Sequence, residues 1–129
     1  MIKTNELRIG NFVSTNNGFE MLVHSIFQND TVYLDFIPPL INEADVWEED
    51  YKDLIAIPLT EEWLLKFGAI KYEFDHKASQ YRIDNMLFII RENTFFDYGT
   101  GVKLQYVHQL QNLFFSLTGE ELVFSSTEP

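Results

Sequence analysis

Apolar and polar residues trade places in short runs through the first third of the chain. Leu7–Ser14, Phe19–Phe27 and Thr31–Ile37 each have strand character, with Gly10 at a bend or bulge. Asn16-Asn17-Gly18 and Asn29-Asp30 separate them, and Asn-Gly is a strong hairpin signal because both residues tolerate positive φ. The pattern predicts a three-stranded meander that ends at Pro38-Pro39, where the ladder loses its donors. Leu54–Ile57 reads as a short strand returning to that sheet.

Pro58-Leu59-Thr60 then opens a helix. Thr60 can cap it, Glu61 and Glu62 suit its positive end, and Trp63, Leu64 and Phe67 share one face before Gly68. Strand character resumes in Ile70–Phe74, Tyr81–Ile83, Met86–Arg91 and Thr94–Tyr98. A second helix spans Gln105–Leu117, its apolar stripe formed by Tyr106, Val107, Leu110, Leu113, Phe114 and Leu117, and Thr118-Gly119 ends it. Leu122–Phe124 adds a last short strand, and Ser125–Pro129 should fray. The expected fold is α+β: an antiparallel N-terminal meander with the rhythm of a small SH3-like barrel, then a helix, a second antiparallel sheet and a C-terminal helix. Residues 1–57 form the meander part and 58–129 the remainder, expected together as one compact unit.

Composition narrows the function classes. Twenty Asp and Glu stand against nine Lys and Arg, a net charge of −11. Nine basic residues scattered among twenty acids are a poor footprint for phosphates, so direct nucleic-acid binding is not expected, nor is attachment to an anionic membrane. The longest proline-free apolar run, Met86–Ile90, falls far short of the roughly 18 to 20 residues of a membrane span. The start of the chain lacks a signal-peptide apolar core, so a cytoplasmic location is expected. The absence of cysteine removes disulfides, thiolate zinc sites and cysteine nucleophiles.

The charge is concentrated. Glu43–Glu62 holds eight acids against one base, Lys52, a net of −7 in twenty residues. Within it, Glu43, Asp45, Glu48, Glu49 and Asp50 interleave with Val46, Trp47 and Tyr51. One reading is a solvated loop or short helix anchored by its aromatics. The other is a binding surface on which acids steer a basic protein partner and an aromatic anchor supplies contact energy. Phe115 is a further candidate contact residue: it projects with His108 and Gln111, away from the Leu110–Phe114–Leu117 stripe. Either a second layer covers it or it contributes to a homo-oligomer contact.

Catalytic and cofactor signatures are weak. His24, His76 and His108 include no i, i+4 pair on a helix, so no metal site is expected. No serine sits in a Gly-x-Ser-x-Gly elbow. Tyr98–Lys103 lacks the spacing of a phosphate-binding loop and reads as a flexible strand-to-helix connection. No catalytic residue and no cofactor is assigned.

Three segments carry a family likeness: Glu6–Asn11, Ile57–Gly68 and Tyr106–Leu122. Together, over about a quarter of the chain, they resemble a family of small uncharacterised proteins of gut-anaerobe genomes, often in phage or mobile-element settings. The resemblance implies that setting but no activity, cofactor or catalytic residue. The leading expectation is a non-enzymatic cytosolic protein that binds another protein. The alternatives are an acidic nucleic-acid mimic that inhibits a DNA-binding protein, and an acid-dependent hydrolase with two convergent carboxylates.

Overall fold

The structure is a computed structural model of the chain and describes residues 2, 6–27, 30–36, 46–74 and 78–124. These residues form an α+β protein with two five-stranded antiparallel sheets and helices α1 (Glu61–Lys66) and α2 (Val107–Thr118). The chain divides into two compact units, Met1–Ile57 with Tyr106–Glu121, and Pro58–Gln105 with Leu122–Pro129. The expected stop at Pro38-Pro39 and the fraying of Ser125–Pro129 lie outside the described residues.

In the first unit, strands β1 (Phe12–Thr15), β2 (Glu20–Ile26), β3 (Thr31–Phe36), β4 (Val46–Asp50) and β5 (Leu54–Ile55) assemble in the order β4-β3-β2-β1-β5. A 3-10 turn, Tyr51–Asp53, joins β4 to β5. A meander whose last strand returns beside the first, after such a turn, has the strand order of an SH3-like barrel. Gly18, at φ 87°, supplies the left-handed residue that the β1–β2 turn requires. Val13, Met21, Val23, Val32, Leu34 and Leu54 build the core. β1 is buried on both faces, Phe12 and Val13 alike, and α2 packs against it.

That packing moves a boundary. The chain pattern groups α2 with residues 58–129, after the strands it follows, whereas its buried side chains dock it on the first sheet. The helix ends as expected, with Gly119 left-handed at φ 77° and its N–H on the Phe115 carbonyl.

The second unit is a meander of β6 (Ile70–Phe74), β7 (Ala78–Ile83), β8 (Met86–Arg91), β9 (Thr94–Asp97) and β10 (Lys103–Leu104), in reversed chain order β10-β9-β8-β7-β6. Glu92 and Asn93, both at positive φ, close β8 on β9 as a primed hairpin turn does. Thr60 caps α1 by accepting the Trp63 N–H. The Trp63, Phe67 and Phe124 rings pack against one another at tilted angles, so Leu122–Phe124 contributes core contacts instead of the expected strand. Tyr98–Gly101 also departs from expectation: it is a β9–β10 hairpin loop. Buried Asp97 holds it by accepting from the Thr100 N–H (2.9 Å) and hydroxyl (2.6 Å).

Candidate functional site

The acidic aromatic segment is a strand where described. Residues 46–50 form β4, the outermost strand of the first sheet, instead of a solvated loop or short helix. β3 imposes this conformation, pairing Thr31 with Asp50, Val32 with Glu49, Tyr33 with Glu48 and Leu34 with Trp47. Cross-strand partners share a face, so Trp47 and Glu49 lie on the side of buried Val32 and Leu34, with Glu48 and Asp50 on the side of Tyr33. Position at the sheet margin leaves Trp47 39% exposed although its partner Leu34 is fully buried. The Trp47 indole N–H donates to Glu49 Oε2 at 3.3 Å. Glu48 and Asp50 are exposed, and neither has a Lys or Arg partner among the described residues. Asp50 also accepts the Lys52 N–H, closing the turn that leads away from the strand.

The other candidate residues lie elsewhere. Glu43 and Asp45 are outside the described residues. Tyr51 is buried in the core, its backbone N–H on the Asp30 carbonyl (2.7 Å) and its hydroxyl without a partner among the described residues. Burial, reinforced by the Glu6 and Asp30 carboxylates, raises the pKa of that hydroxyl above the ordinary tyrosine value. Phe115 is on α2, 40% exposed, with the Arg8 guanidinium 4.4 Å from its ring centroid. A cation covers it in part, in place of a second packed layer.

A second constellation joins two of the three segments that carry the family likeness. Gln111, on α2, accepts the Phe12 N–H (2.8 Å) and donates to the Gly10 carbonyl (2.9 Å). Asn112 donates to the Glu6 carbonyl (2.6 Å), and its Oδ1 accepts from Arg8 (2.6 Å) and Asn11 (3.0 Å). Arg8 also pairs with Glu121. His108 is buried beside Glu6, with 3.3 Å between Nε2 and Oε1. Hydropathy gives no hint that His108 and Gln111 face inward; the paired Asn, Gln and Arg of the two motifs are the only sequence signal. The network splints the segment before β1 to the helix, which is structural work.

The remaining sites are likewise occupied by local contacts. His24 is exposed beside the Ser25 hydroxyl, and His76 lies outside the described residues. In the second unit Glu61 accepts from Tyr81 (3.1 Å) and pairs with Lys71 (2.7 Å), which lowers its pKa, chiefly through the bond to Lys71. Among the described residues no three His, Asp or Glu side chains converge as ligands of a metal ion, and no helix is long and apolar enough to cross a membrane. No family model, no curated protein and no solved structure matches the chain.

Proposed function

We propose that the protein is a non-enzymatic accessory protein that works by binding a basic protein partner along β4, in the cytoplasm and in the phage or mobile-element setting that the sequence resemblance implies. The observation that carries this reading is Trp47: a large aromatic left 39% exposed at a sheet margin, with Glu48 and Asp50 exposed on the same strand. An outermost strand offers backbone donors and acceptors for an added strand. The carboxylates favour a cationic one, and a half-exposed indole is the kind of anchor that dominates interface energetics.

Affinity capture with the full chain tests this. A partner retained by the parent and lost from both Trp47→Ala and the Glu48→Lys, Glu49→Lys double variant supports it. Variants that keep every partner count against it. Displacement of a captured DNA-binding protein by duplex DNA identifies the mimic form, and failure of DNA to compete removes that form.

A further inference from the structure

The outer face of the second sheet collects charge that is dispersed along the chain. Strand register places Tyr72, Gln80, Ile89, Phe96 and Lys103 in one transverse row across all five strands. The next row holds Ile70, Arg82 and Leu87, and Tyr98 continues it, its N–H bonded to the Leu87 carbonyl at 2.8 Å. Arg91 lies on the same face by alternation along β8, two residues beyond Ile89. The opposite face carries the buried side chains Tyr81, Ile83, Phe88 and Phe95.

Three features of this face belong together. It presents Arg82, Arg91 and Lys103, all exposed and none in an ion pair among the described residues. It presents the exposed rings of Tyr72 and Tyr98, the latter 65% exposed, and the half-buried ring of Phe96. It has no Asp or Glu among its described side chains: Asp84 and Glu92 sit in the turns and Asp97 faces the core. In a chain of net charge −11, an acid-free face with three cations is a local reversal of sign.

We propose that this face binds single-stranded nucleic acid. The cations suit phosphates, and open rings on an antiparallel sheet suit unstacked bases. Phe96, on β9, and Tyr98, the first residue of the loop that follows it, are two positions apart, about 7 Å at strand spacing, room for two successive bases. Leu87 and Ile89 lie between the rings and are half-buried, so bases that cover them also remove apolar surface from water. A duplex, whose bases are already stacked, offers only its phosphates. The proposal is independent of the reading of β4.

Fluorescence anisotropy of the full chain with labelled oligothymidine and oligouridine of about fifteen nucleotides tests it. The expected result is binding at low salt, with log K against log salt sloping about −2, as about 0.7 per cation gives for three cations on a single strand. Arg82→Gln, Arg91→Gln and Lys103→Gln should each flatten that slope by about 0.7. Tyr72→Leu and Phe96→Leu should weaken binding about tenfold with the slope unchanged, circular dichroism verifying that both variants fold. No binding at up to about 100 μM protein in low salt, where even non-specific complexes form, overturns the proposal. So does equal binding of polyglutamate or of duplex, since either reveals a charged surface that does not read bases. An oligomer that the aromatic variants dissociate overturns it too, because a second copy then covers the face.

Discussion

The side-chain amide of Gln111 stands in for a neighbouring strand beside Phe12. Its carbonyl accepts the Phe12 N–H at 2.8 Å while its amide donates to the Gly10 carbonyl at 2.9 Å, bracketing Asn11 as a parallel ladder partner would. A helix thereby satisfies a segment for which β2 alone does not provide. Gln111→Leu keeps the bulk and removes both bonds, to the Phe12 N–H and the Gly10 carbonyl. The expected loss is about 2 kcal/mol, from about 1 kcal/mol for each hydrogen bond lost. A urea unfolding midpoint unchanged from the parent contradicts this.

Tyr51 points the other way, since its hydroxyl is buried with no partner among the described residues. Tyr51→Phe should leave stability unchanged or raise it by about 1 kcal/mol at neutral pH. The raised pKa of Tyr51 favours the neutral form in the folded chain. Its stabilising share is therefore intact below the ordinary value near 10.0 and is lost as pH rises through the higher folded value. Alkaline melting curves should show a shallower decline for the variant than for the parent.

Glu61 titrates with the opposite sign. Hydrogen bonds from Lys71 and Tyr81 hold its carboxyl below the ordinary value near 4.5, against a smaller opposing effect of burial. Its contribution is in place above that value and disappears as pH falls through the lower folded one. Glu61→Gln should flatten the acid limb of melting temperature against pH and leave the neutral region nearly unaltered. An acid limb as steep as the parent's rules this out.

The two tryptophans report on different units. Trp63 is 5% exposed and Trp47 39%. Emission from Trp63→Phe, which isolates Trp47, should be quenched readily by acrylamide, and emission from Trp47→Phe should resist it. A partner docking along β4 should protect the first signal and leave the second alone.

Much of the architecture is legible along the chain because local chemistry and tertiary packing agree there. The Asn-Gly turn, the Thr60 cap and the Gly119 stop all appear where spacing predicts; β6 forms where expected, but its apolar residues Ile70 and Tyr72 lie on the exposed face instead of the buried one. β4 is hidden because Glu and Asp are poor strand formers and three in succession mask any alternation; pairing with β3 overrides that propensity. β10 is two residues long and carries no periodic signal. The inward turn of His108 and Gln111 escapes hydropathy, which scores a side chain without asking what it bonds. Of the candidate contact surface, Trp47, Glu48 and Asp50 are exposed on β4. The cations on the second sheet converge only through strand register, as Arg82, Arg91 and Lys103 are spread over 22 positions.

The attachment of α2 to β1 has a consequence for synthesis. The first unit is written in two instalments, Met1–Ile57 and Tyr106–Glu121, with the whole of the second sheet between them. A nascent chain can lay down the strands of the second sheet while β1 still lacks its helix, and each unit is closed only by a later segment, the first by Tyr106–Glu121 and the second by Leu122–Pro129. Until α2 leaves the ribosome, Phe12 and Asn11 lack the Gln111 and Asn112 side chains that bond them, and the early strands expose apolar surface that the folded chain covers. The seam is also a place to cut. The Val107 N–H meets the Ile57 carbonyl at 2.8 Å, so a short linker from Ile57 to Tyr106 could bypass the second sheet and yield the first unit as a continuous miniature.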